Sequence, residues 1–87
     1  MRVQQKIAIN IRKFRVGRGL TQEALAIDAR VDRSYMSRLE RGLENPTVAV
    51  LARVAVALKI SEALLFQSPR SGETVRAPLR PGRKPKR

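Results

Sequence analysis

From Val3 to Phe66 apolar residues recur at helical spacing, and the alternation of a half-buried strand is lacking. Ile7, Ile11 and Phe14 fall at i, i+4 and i+7 with Val3 one turn earlier, which predicts an amphipathic helix over residues 4–16. Gly17 and Gly19 are expected to end it. Four further starts repeat one device: an apolar residue, then a Ser, Thr or Asp cap, then an apolar residue four positions past the cap. The sets are Leu20–Thr21–Leu25, Val31–Asp32–Met36, Pro46–Thr47–Leu51 and Ile60–Ser61–Leu65. Each cap oxygen can satisfy an orphan backbone N–H, and each apolar pair staples the entering chain to the first turn. The helices so predicted are 22–29, 33–41, 48–58 and 62–66. The stretch 48–58, VAVLARVAVAL, carries Arg53 as its one charge. A helix that apolar is expected to be buried on most sides, as the centre of a bundle or partly in a subunit contact. The fold expected is therefore all-α, a compact five-helix domain over residues 1–66. After Phe66 the periodicity stops: residues 67–87 hold four of the five prolines and too few apolar residues to fold alone, which predicts a disordered basic tail.

Composition narrows what such a domain can do. At 87 residues it buries only about 60% of its unfolded surface. There is no cysteine or histidine, so disulfides and zinc sites built on those residues are excluded. The formal net charge is +12, half of it on residues 67–87, a balance that favours polyanion partners, nucleic acid ahead of an anionic membrane surface. No apolar run approaches the roughly 20 residues that span a bilayer. The opening MRVQQKIAINIRKF interleaves charge where a signal peptide has an apolar block. A cytoplasmic, nucleoid-associated protein without membrane contact is expected. No His or Cys nucleophile system, Gly-rich phosphate loop or acidic cluster with metal spacing is present, so no enzyme activity, catalytic residue, cofactor or metal is expected.

The chemistry concentrates in LTQEALAIDARVDRSYMSRLERG, Leu20–Gly42, which reads as two short helices joined by a tight turn. On the second, Met36 and Leu39 form the docking stripe, while Arg33, Ser34, Ser37, Arg38 and Arg41 share the other face. Three guanidinium groups and two hydroxyls there offer donors for guanine O6/N7, other base edges and phosphates. A solvated helix face would more usually mix Glu and Lys at i,i+4, and the acidic Asp32 and Glu40 stand off this one. A basic helix face alone is more often mere solvated surface; the two-helix context reverses that preference.

Over Ile7–Phe66 the chain resembles the lambda-repressor-like, or Xre/Cro, helix-turn-helix DNA-binding regulators of bacteria and phages. The carriers are IRKFRVGRGLTQEALA, then VDRSYMSRLERGLENPT, then the L-x-x-V-A-x-A-L run ending in Lys59. The resemblance implies that Arg33, Ser34, Ser37 and Arg38 read bases and that Gln22 bonds a phosphate while buttressing the recognition helix. It further implies that Tyr35, Arg41 and Asn45 approach the DNA backbone and that Arg15 and Glu40 form a structural ion pair. Duller readings of the same residues stand beside these. Gln22 could be a solvated first-turn residue, Tyr35 could pack rather than touch DNA, and the serines could merely keep the helix surface small. One departure is Arg30, in a turn where many relatives have glycine. If the backbone there is left-handed, arginine costs about 1 kcal/mol.

The resemblance also implies a homodimer on a palindromic double-stranded operator, its recognition helices about 34 Å apart, acting as a repressor or controller. With no room for a ligand-sensing domain, regulation would follow the protein's own concentration. Two rivals remain open: an antitoxin-type interaction module that also binds DNA, and an architectural protein that coats nucleic acid by charge. A protein partner, toxin or RNA polymerase, is left open too. In the tail, RPGRKPKR resembles the AT-hook minor-groove element, which would give Arg80, Arg83, Lys84, Lys86 and Arg87 a groove-binding role. A polybasic segment adding phosphate contacts is the simpler reading.

Overall fold

A computed structural model describes residues 1–69. Four α-helices follow in order: α1 (Val3–Gly17), α2 (Gln22–Ala29), α3 (Arg33–Glu40) and α4 (Val48–Leu58). A short 3₁₀ helix, Glu62–Phe66, ends the described chain, and no strand occurs among the described residues. The basic segment from residue 70, with Arg80, Arg83, Lys84, Lys86 and Arg87, lies outside the described residues.

The cap residues open the helices where their side chains allow. Thr21 Oγ1 accepts from Ala24 N–H and Thr47 Oγ1 from Val50 N–H, both at 3.0 Å, and Asp32 accepts from Ser34 N–H at 2.9 Å. Ser61 accepts from Ala63 N–H at 3.3 Å, but the helix it opens is corrected from α to 3₁₀. Five residues are too few to propagate an α-helical ladder, and the chain closes with the tighter bond from Leu64 N–H to Ser61 C=O. The end of α3 also moves, to Glu40 instead of Arg41. Gly17 remains helical, so only Gly19, at φ 73°, makes the turn that both glycines were expected to make.

All four α-helices end alike, with one left-handed residue followed by an N–H that reaches back five positions. The left-handed residues are Gly19, Arg30, Gly42 and Lys59. The returning donors are Leu20 to Arg15 C=O, Val31 to Ala26, Leu43 to Arg38 and Ile60 to Ala55, at 2.9–3.0 Å. Leu20, Val31 and Ile60 thus close one helix while standing immediately before the cap of the next. Arg30 has φ 61° and ψ 46°, so the turn is left-handed despite its side chain. Arg30→Gly is expected to raise stability by about 0.5–1 kcal/mol, relief of strain outweighing glycine's extra freedom in the unfolded chain. A higher urea midpoint at unchanged slope would show it; a lower midpoint would mean the arginine carries no strain.

The core gathers Ile7 and Ile11 of α1, Leu25, Ala26 and Ala29 of α2, Met36 and Leu39 of α3, four residues of α4 and Leu65. The alanines let α2 lie close on α4. Helix α4 buries Leu51, Val54, Ala55 and Leu58 but leaves Val48 and Val56 at 83% and 74% exposure. Within the protomer it is therefore not enclosed all round: Val48 and Val56 stay open on the face away from the core. Arg53, its one charge, donates from Nε to Ala29 C=O at 2.8 Å and so completes the end of α2. Buried Asn10 donates to Leu65 C=O and Gln67 C=O, at 2.8 and 2.9 Å, fastening the 3₁₀ helix to α1. No helix among the described residues is long and apolar enough to cross a membrane.

Candidate nucleic-acid interface

Helix α3 is held from behind and left open in front. Behind, Met36 and Leu39 are buried in the core, and Glu40 is 1% exposed. The Glu40 carboxylate accepts from Arg15 Nε at 2.7 Å and Arg15 Nη2 at 3.1 Å, a two-point pairing that fixes α3 against α1. Gln22 Nε2, in the first turn of α2, donates to the same carboxylate at 3.0 Å, and Arg15 Nη1 donates to Leu20 C=O at 2.8 Å. Arg12 Nη2 donates to Glu40 C=O at 3.1 Å, satisfying a carbonyl at the end of α3. Burial lowers the Arg12 pKa from its ordinary value, while the Glu40 charge opposes that shift. Three helices therefore converge on one carboxylate.

In front, Arg33, Ser34, Ser37, Arg38 and Arg41 line one open concavity of about 490 Å³. The arginines and Ser34 are exposed, and Ser37 is half-buried. Their spacing on a regular helix puts them together, and Asp32 starts that helix where Arg33 is its first residue. Arg38 Nε donates to Glu44 Oε2 at 2.7 Å, an acid from the loop between α3 and α4. The Arg38 guanidinium lies 6.0 Å from the centre of the Tyr35 ring.

Tyr35 is half-buried and packs against the core while standing beside the arginine face. Burial first, then the Glu44 charge, push its phenol pKa up, with Arg38 and Arg53 pulling the other way. The phenol stays protonated at neutral pH and can donate a hydrogen bond. Asn45 Oδ1 accepts from Gln4 Nε2, so Asn45 is tied to the start of α1. Gln22 is likewise tied inward, to Glu40, and neither residue lines the concavity.

Spacing along the sequence did not point to Glu44, Arg12 or Gln4. Each meets a partner across a helix end or in another helix, and no periodicity signals such a meeting.

Comparison with known proteins agrees with the helix-turn-helix fold. A family model described as a helix-turn-helix domain matches residues 7–65. An uncharacterized HTH-type transcriptional regulator, y4dJ of Sinorhizobium fredii, is 37% identical over 65 residues, covering 75% of this chain and 84% of the relative. The restriction–modification controller protein C.AhdI from Aeromonas hydrophila superimposes with a TM-score of 0.69 at 38% identity, over 70% of this chain and 92% of that one. The controller protein C.Esp1396I, described as a tetramer in complex with its natural 35 base-pair operator, matches with a TM-score of 0.69 at 33% identity. The match covers 76% of this chain and 87% of the controller.

Proposed function

The chain belongs to the helix-turn-helix family of DNA-binding transcriptional regulators, and from that premise we propose that it acts as a homodimer on a palindromic operator with α3 in the major groove. The carrying observation is the set of three arginines and two serines lining one open face of a helix whose back is locked by Glu40. A reading element needs both properties: donors that converge on base edges, and a mounting that does not move when they engage.

In this reading Arg33 and Arg38 take guanine O6/N7, the commonest specific contact, and Ser34 and Ser37 bond neighbouring edges. Arg41, at the exit of α3, and the protonated phenol of Tyr35 reach the sugar–phosphate backbone. Gln22 commits one amide hydrogen to Glu40, and its second remains for a phosphate; Asn45, held by Gln4, offers its amide in the same way. Arg15 and Glu40 touch no DNA and hold the angle of α3. Residues 1–66 are the reading domain, and the basic residues of 67–87 add charge-driven affinity. The operator-bound controller relative supports an oligomer on DNA.

Selection from a random duplex library at near-physiological salt tests this. The expected product is a two-fold symmetric motif with half-site centres about one helical turn, roughly 34 Å, apart. Recovery of no motif, with binding that simply fades as salt rises, would overturn it in favour of a charge-driven coat.

A further inference from the structure

We propose that Glu44 is a positioning residue that sets how Arg38 meets its base, and so determines specificity at that base pair. The inference rests on Arg38 entering the groove as described above.

The geometry carries it. Arg38 is an exposed side chain, and a free arginine there would sample many rotamers. Two contacts hold it instead: the 2.7 Å bond from Nε to Glu44 Oε2, and the Tyr35 ring 6.0 Å from Cζ. The bond uses the Nε of the planar fork. Among the described residues neither Nη of Arg38 has a hydrogen bond, so the outer edge that can span guanine O6 and N7 remains available. An arginine already fixed in this way loses less rotamer freedom when it docks, and it docks in one orientation.

Charge makes the same case from the other side. Glu44 is an acid beside the arginine-lined face, and it works against binding to a polyanion. A partly exposed ion pair contributes little to folding stability, so stability is no compensation. What the pair does supply is discrimination. Held in one orientation, Arg38 meets guanine well and turns less readily to a phosphate when the base is wrong.

The test compares Glu44→Ala, Glu44→Gln and Arg38→Ala on the selected operator and on operators altered one base pair at a time. Arg38→Ala defines the base pair in question as the one where preference relaxes. Glu44→Ala is expected to lose roughly tenfold of the discrimination at that same pair. Binding to random duplex should stay level or rise, and preference at the other base pairs should be unchanged. Glu44→Gln keeps an acceptor for Nε and should retain most of the discrimination. In the Arg38→Ala background Glu44→Ala should do nothing more to preference, the signature of two residues acting as one. If Glu44→Ala and Glu44→Gln both raise affinity for all sequences alike with discrimination intact, Glu44 is only a repulsive charge and the inference fails. If Arg38→Ala relaxes no base pair, the placement of Arg38 in the groove fails instead, whatever Glu44 does.

Discussion

Glu40→Ala is expected to destabilise the domain by about 3–5 kcal/mol, the usual cost of removing one partner from a buried ion pair. The carboxylate is 1% exposed and gathers two Arg15 nitrogens and the Gln22 amide, so its loss strands donors from α1 and α2 in a dry site. Small domains hold only about 5–15 kcal/mol in all, so the variant should be poorly folded near body temperature. Glu40→Gln keeps the shape and an acceptor but loses the charge, and it should cost about 1.5–3 kcal/mol. Urea unfolding followed by helical circular dichroism reads both. It should be run at two protein concentrations, because the proposed dimerisation would be linked to folding. A loss below about 1 kcal/mol for Glu40→Ala would show that α3 is mounted by the core alone.

The second large effect falls on binding. Arg33→Ala combined with Arg38→Ala should reduce operator affinity about a thousandfold or more, down to the level seen with random duplex. Specific and non-specific binding usually differ by about 4–10 kcal/mol, and each two-point arginine contact supplies about 1–3 kcal/mol in each half-site. The helical signal and melting temperature should barely change, since both side chains are exposed and outside the core. Fluorescence anisotropy against operator and scrambled duplex in the same buffer measures the gap. An operator preference that survives the double substitution would move the reading surface elsewhere on the protein.

What the sequence disclosed follows from how far each interaction reaches. Thr21, Asp32, Thr47 and Ser61 act on N–H groups two or three residues away, so helix starts are written in short, regular signals. The arginine face of α3 was legible for the same reason, because a helix turns a spacing into a direction. Asn10 joins carbonyls 55 and 57 residues away, and Arg12 meets the Glu40 carbonyl across 28 residues, and no local pattern encodes either. Glu44 lies only six residues from Arg38, yet the two meet because the chain bends at Gly42, so helical spacing does not pair them. The two glycines after α1 look alike in the sequence, and only Gly19 takes the left-handed conformation. An apolar run such as VAVLARVAVAL specifies a helix but not which valines face the core, and Val56 points outward because α1 and α2 cover only one side.

Because Leu20, Val31 and Ile60 each finish one helix and introduce the next, the turns they occupy have no spare residue to absorb a change of angle. Across those three turns the helices are therefore closely coupled in angle. For the proposed dimer, half-sites a base pair too near or too far would then strain the subunit contact and the duplex, the latter as twist and bend. The cost then depends on how readily the central steps deform, so bases that no side chain touches enter the choice of operator.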